Sequence, residues 1–144
     1  MNLIQKIRRK ILIRRVNKAL HIKLTDWQIA HIFDGEPFPE EIQYARRVGK
    51  TTAQILFVLL SKNRIPGNNL LMIVDEIDHL HYPCVFPSQL AARNAFIFNE
   101  DGVTARRRYF FMRELLKVKD QLKARHIKTN TVCFLYHGRR HHYI

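Results

Sequence analysis

Over the first twenty positions apolar residues recur mostly at steps of three and four: Leu3, Ile4, Ile7, Ile11, Val16 and Leu20 alternate with a face of Arg and Lys. The pattern predicts a basic amphipathic helix over residues 1–23. Its stripe carries no Trp or Phe anchor, so packing on the domain ranks above lying on lipid. "LTDWQIAHIF" then predicts a short helix with Thr25 as N-cap, ended by "DGEPFPEE", whose glycine and two prolines disfavour helix. "IQYA" reads as a short strand and "KTTAQILFVLLSKN" as a mostly buried helix closed by the "RIPGNN" turn. Leu70 to Val74 form an apolar run that reads as a buried strand turning acidic at Asp75 and Glu76. After an irregular stretch, "AFIF" suggests a strand. "TARRRYFFMRELLKVKDQLKARHI" predicts a helix with Tyr109, Met112, Leu115, Leu116, Val118 and Leu122 on its apolar side, and "TNTVCFLYH" a last strand.

Strand, loop, helix, strand is the order of a β-α-β unit with a right-handed crossover. The expected fold class is therefore α/β: a small single domain, residues 1–144, with a strand–phosphate-loop–helix–strand unit in residues 24–80. Basic amphipathic helices flank it, one at 1–23 and one within 104–144, where a strand and tail follow.

Composition adds a location and a class of partner. No run approaches the roughly 18 uninterrupted apolar residues of a membrane span, and charges break the N-terminal segment too often for a signal peptide. The expectation is a cytoplasmic protein with no membrane contact. Cys84 and Cys133 have no paired spacing and read as reduced thiols. The net charge is +13 and gathers at the ends. Residues 1–23 hold Lys6, Arg8, Arg9, Lys10, Arg14, Arg15, Lys18 and Lys23 with no acid, and residues 106–144 hold only Glu114 and Asp120 as acids. Such clustering favours nucleic acid, or a protein that handles it, over a merely solvated face. Arg8, Arg9, Arg14, Arg15, Arg106, Arg107, Arg108, Arg139 and Arg140 are the candidate contacts.

"QYARRVGKTTAQILFVLL" places Gly49, Lys50, Thr51 and Thr52 where a loop enters a helix. Phosphate loops work because backbone N–H groups at a helix start point at phosphate, the lysine reaches the outer phosphates, and a Ser or Thr hydroxyl holds Mg²⁺. The general motif has a glycine five residues before the second one; position 44 is Tyr44. In "LLMIVDE" Asp75 stands where an acid binds Mg²⁺, as Thr51 does, and Glu76 where an acid orients water. The same two residues also read simply as the turn after a buried strand.

The loop "ARRVGKTT", with "LTDWQ" about twenty residues before it, resembles the N-terminal ATPase region of phage terminase large subunits, the DNA-packaging motors. The resemblance covers roughly residues 20–60, with Asp75 and Glu76 as an extension. It implies Gln28 at an adenine edge with Trp27 beside it, Lys50 and Thr51 on phosphate and metal, and Arg46, less directly Arg47, as an arginine acting in cis on the transferring phosphate. The chain has no room for the family's nuclease domain and reads as a small phage or prophage protein sharing ancestry with the front of that ATPase. ATP and Mg²⁺ are the implied ligands, with hydrolysis weak or absent; a host-cell cytoplasmic location follows if it is phage-encoded. The alternative is a non-enzymatic binder, such as a phage-encoded inhibitor of a host nucleic-acid-handling defence system, or an accessory of the packaging machinery.

Zinc is not expected: His79, His81 and Cys84, near Asp75 and Asp78, fit no common zinc spacing. The tail "HGRRHHYI" suits phosphate contact and base stacking, or is a disordered terminus.

Overall fold

Residues 1–60, 105–130 and the strand segments 70–75, 95–98, 131–136 and 140–143 are described by the computed structural model, with side chains for 1–60 and 110–130. Helix α1, Leu3–Leu20, starts at a capping box: Gln5 N–H donates to Asn2 Oδ1 at 2.8 Å and Asn2 N–H to Gln5 Oε1 at 3.2 Å. It ends where His21 turns left-handed, at φ 55°. Thr25 then caps helix α2, Asp26–Asp34, and Gly35 closes it at φ 68°. Helix α3, Glu40–Gln43, is one turn. Helix α4, Lys50–Leu60, follows a four-residue bend, and helix α5, Ala105–Ala124, is the longest among the described residues.

The core is built around α4. Ala53, Ile55, Leu56, Val58, Leu59 and Leu60 are all buried, and positions this closely spaced point to several sides of a helix, so α4 is covered over more than half of its circumference, with Gln54 and Phe57 half-buried on the rest. Helix α2 brings Ile32 against it, and α5 packs there too, contributing Phe111, Leu115, Val118 and Leu122 to the same core. Each fully buried aliphatic side chain of this kind contributes about 1.5–3 kcal/mol.

The expected fold class is overturned. Among residues with described side chains, 70% are helical, with no strand and no sheet. The segment expected as the strand leading into the loop is helical: α3 takes in Ile42 and Gln43, and Tyr44 has helical dihedrals, φ −103° and ψ −6°. The cause is local. Pro39 has a fixed φ suited to a helix start, and Glu40 and Glu41 sit favourably in the first turn. The backbone bonds are spent there: Ile42 and Gln43 N–H both donate to Pro39 O, and Ala45 N–H to Ile42 O.

Farther along, only backbone is described for β1 Leu70–Asp75, β2 Ala95–Phe98, β3 Thr131–Tyr136 and β4 Arg140–Tyr143. These segments pair in the order β2-β1-β3-β4, parallel except for β3 with β4; Met72 faces Ala95 and Leu70 faces Thr131. They do not restore the expected unit, because what precedes the loop is α3 and a bend.

The packing of α1 also differs from expectation. Leu3, Ile4, Ile7 and Ile11 are 72, 62, 48 and 51% exposed, while Val16 and Ala19 are buried and Leu12, Ile13 and Leu20 pack partly on the core. At about 100° per residue, Ile7 and Ile11 lie across the helix from Leu12 and Val16. The helix therefore has two apolar stripes, and only one faces α5. On α5 itself, Leu116, expected on the apolar side, is 38% exposed, and Phe111 takes the buried place.

The C-terminal end of α4 is buried, so its last carbonyls need internal donors. Asn130, 3% exposed, supplies them: its N–H donates to Leu59 O at 2.8 Å and its Nδ2 to Val58 O at 3.0 Å. Lys119 Nζ on α5 donates in turn to Asn130 O at 3.2 Å. Burial, then the charge of Lys123, pull the Lys119 ammonium below the usual lysine pKa, against the opposite pull of Asp120.

Two outcomes follow. Asn130→Ala keeps the backbone donor to Leu59 O but leaves the buried Val58 O without its side-chain donor, and should cost about 1–3 kcal/mol in urea unfolding; an unchanged midpoint would show the side-chain half of the cap to be dispensable. For Lys119, the unfolded chain holds more protons than the folded one between the lowered and the ordinary pKa, so its contribution to stability rises with pH in that alkaline window. Wild type should gain on Lys119→Met as pH is raised through it, read by urea unfolding at a series of pH values.

Candidate functional site

Gly49 immediately precedes α4 and has φ 92°, a conformation that only glycine adopts cheaply. Its carbonyl accepts twice: from Ala53 N–H at 3.1 Å, and from Gln28 Nε2 at 3.1 Å. The other end of the Gln28 carboxamide accepts from Thr25 N–H at 2.9 Å, completing the capping box of α2. Gln28, 6% exposed, thus ties the start of α2 to the start of α4. A Cβ on Gly49 would lie 2.5 Å from Gln28 Nε2, so the close approach requires glycine as much as the dihedral does.

Around this turn lies a cavity of about 790 Å³ lined by Phe38, Gln43, Ala45, Arg46, Arg47, Val48, Gly49, Lys50, Thr51, Thr52 and Gln54. Arg46, Arg47 and Thr51 are exposed, and Lys50 and Thr52 are half-buried. Neither Arg46 nor Arg47 has an acidic partner among the described residues. Arg47 is itself left-handed, at φ 56°, which costs a residue with a Cβ of order 1 kcal/mol or more. Lys50 Nζ donates to Gln43 O at 2.9 Å, which leaves two of its three N–H groups for other acceptors. The first turn of α4 contains no acid. Three cations thus gather where the helix dipole is already positive and unsatisfied N–H groups point outward, which favours an anion.

Of the residues picked from sequence, Arg46, Gly49, Lys50, Thr51 and Thr52 come together in this cavity. Trp27 and Gln28 do not line it among the described residues. Gln28 acts behind the loop, with both ends of its carboxamide engaged, and Trp27 sets its ring edge-on to Phe38 at 5.4 Å. Phe38 does line the cavity, and sequence reasoning missed it by taking "DGEPFPEE" as a mere break; an aromatic between two prolines was the available signal. His31 backs the ring, with centroids 4.4 Å apart. Since a carbonyl can only accept, the 2.7 Å contact of His31 Nδ1 with Glu36 O places a proton on Nδ1; Nε2 is buried without a partner among the described residues.

Asp75 closes β1 opposite Phe98, described by its backbone alone, and Glu76 lies outside the described residues. So do His79, His81, Cys84 and Arg139. Arg106, Arg107 and Arg108 fall in the first turn of α5 and Arg140 opens β4, again as backbone. On α1 the four arginines divide. Arg9 makes a two-point pair with Asp34, at 2.8 and 3.3 Å, over the Phe33 ring. Arg15 Nη2 donates to the carbonyls of Arg125 and His126 just past α5. Arg8 and Arg14 stay exposed, with no polar partner among the described residues.

Compared with protein-family models, curated proteins and solved structures, the chain has no match. Among the described residues no group of three or more His, Cys, Asp or Glu could hold a metal ion, and no helix is long and apolar enough to cross a membrane.

Gly49→Ala tests the turn. It should destabilise the protein by about 1–3 kcal/mol in urea unfolding, through the strained φ and the clash with Gln28. An unchanged midpoint would mean that the turn relaxes freely and is not held by Gln28.

Proposed function

We propose that the turn before α4 binds the phosphates of a nucleotide, or of nucleic acid, as a degenerate terminase-like phosphate loop in a small phage-type protein, with hydrolysis weak or absent. The observation that carries this reading is the cluster of Arg46, Arg47 and Lys50 around one cavity, with no acidic partner for either arginine among the described residues. Phosphate oxygens are the natural complement, since guanidinium and ammonium donors make short, charge-assisted bonds to them. Phosphoryl transfer wants a carboxylate to hold Mg²⁺ or position water, and Asp75 and Glu76 are the candidates for those roles. The likeness of "ARRVGKTT" and "LTDWQ" to terminase large subunits belongs to this reading, with Gln28 holding the loop in place of the adenine contact.

A second reading, a non-enzymatic binder such as an inhibitor of a host defence system or a packaging accessory, draws on the exposed stripe of Leu3, Ile4, Ile7 and Ile11, beside which Arg8 and Arg14 stay exposed. Calorimetric titration with Mg-ATP separates the two. Saturable binding that falls at least about tenfold in Lys50→Ala, with the unfolding curve unchanged, is the expected result. No heat from either protein would overturn the nucleotide reading and move the function to the basic ends.

A further inference from the structure

We infer that Phe38 is the base platform of this site, so that the cavity takes a nucleoside triphosphate held by stacking at one end and by cations at the other, with little discrimination between bases. The inference deepens the phosphate-site reading above and rests on it. Reading a base by its edge needs a free donor–acceptor pair. Among the described residues, Gln28 is the carboxamide fully buried at the loop, and its oxygen is on Thr25 N–H at 2.9 Å and its nitrogen on Gly49 O at 3.1 Å, so it positions the loop. An aromatic face asks for no such pairing, because every base has a π-face.

Phe38 is prepared for this. It lies between Pro37 and Pro39, whose fixed φ angles limit the loop. Trp27 meets its ring edge-on at 85°, and His31, itself held on Glu36 O, supports it at 4.4 Å. The ring lines the same cavity as Arg46 and Lys50, and about 790 Å³ falls within the roughly 300–1,000 Å³ of ordinary small-molecule sites. A platform already ordered loses little on binding.

The test is calorimetry of Mg-ATP, Mg-GTP and Mg-tripolyphosphate with wild type, Phe38→Leu, Phe38→Trp and Lys50→Ala, each first checked for its unfolding midpoint. Wild type should bind ATP and GTP within about threefold of each other, and both about tenfold more tightly than tripolyphosphate, a gap of the size stacking supplies. Phe38→Leu should bring both nucleotides to the tripolyphosphate value without moving that value, and Phe38→Trp should keep the gap. Lys50→Ala should weaken all three ligands. Tripolyphosphate bound as tightly as ATP would overturn the platform and leave the phosphate site standing. ATP preferred over GTP by more than about tenfold, or a gap untouched by Phe38→Leu, would place base recognition elsewhere. Binding of none of the three would overturn the phosphate site itself, and the platform with it.

Discussion

The C-terminal end of α4 is buried and must have its carbonyls satisfied from within, and that constraint bears on the rest of the described structure. Its carbonyls at Val58 and Leu59 take donors from Asn130, which follows α5, and Lys119 on α5 holds Asn130 in turn. At the other end Gln28 fixes Gly49 from α2. Two buried side-chain amides therefore set how α2, α4 and the end of α5 sit relative to one another. Apolar contact alone would leave those helices freer to slide, since hydrophobic burial is non-directional and hydrogen bonds are not.

The bond from Gln28 to Gly49 shapes the candidate site. Because Gln28 holds Gly49 from behind, the open side of the turn is left to Arg46, Arg47, Lys50 and Phe38. Positive charge on this protein divides into cations with protein partners and cations facing outward. Arg9 and Arg15 join α1 to Asp34 and to the end of α5, and Lys119 serves the α4 cap. The charge of Arg9 is met by Asp34, which the net +13 already counts, whereas Arg15 and Lys119 bond neutral carbonyls and keep theirs.

The motif keeps its helix and loses its strand, and the reason lies in hydrogen bonding. A strand before the loop needs a neighbour to pair with, whereas a proline-initiated turn satisfies Ile42, Gln43 and Ala45 within the segment. On α1 the difference is geometric. Any 3.6-residue pattern with apolar residues on two sides offers two candidate faces, and periodicity does not rank them.

By itself the sequence determined the local, short-range features. The Thr25 cap, the stop at Gly35, the buried character of "AQILFVLL" and the glycine before α4 follow from residue type and spacing within a few positions. Tertiary structure alone decided which stripe of α1 is buried, that Gln28 braces a loop twenty-one residues away, that Asn130 caps a helix seventy-two residues before it, and that Phe38 reaches the cavity. The physical reason is that capping and turn energies depend on immediate neighbours, whereas burial and long-range hydrogen bonds depend on which distant surfaces meet, and a one-dimensional pattern does not contain that pairing.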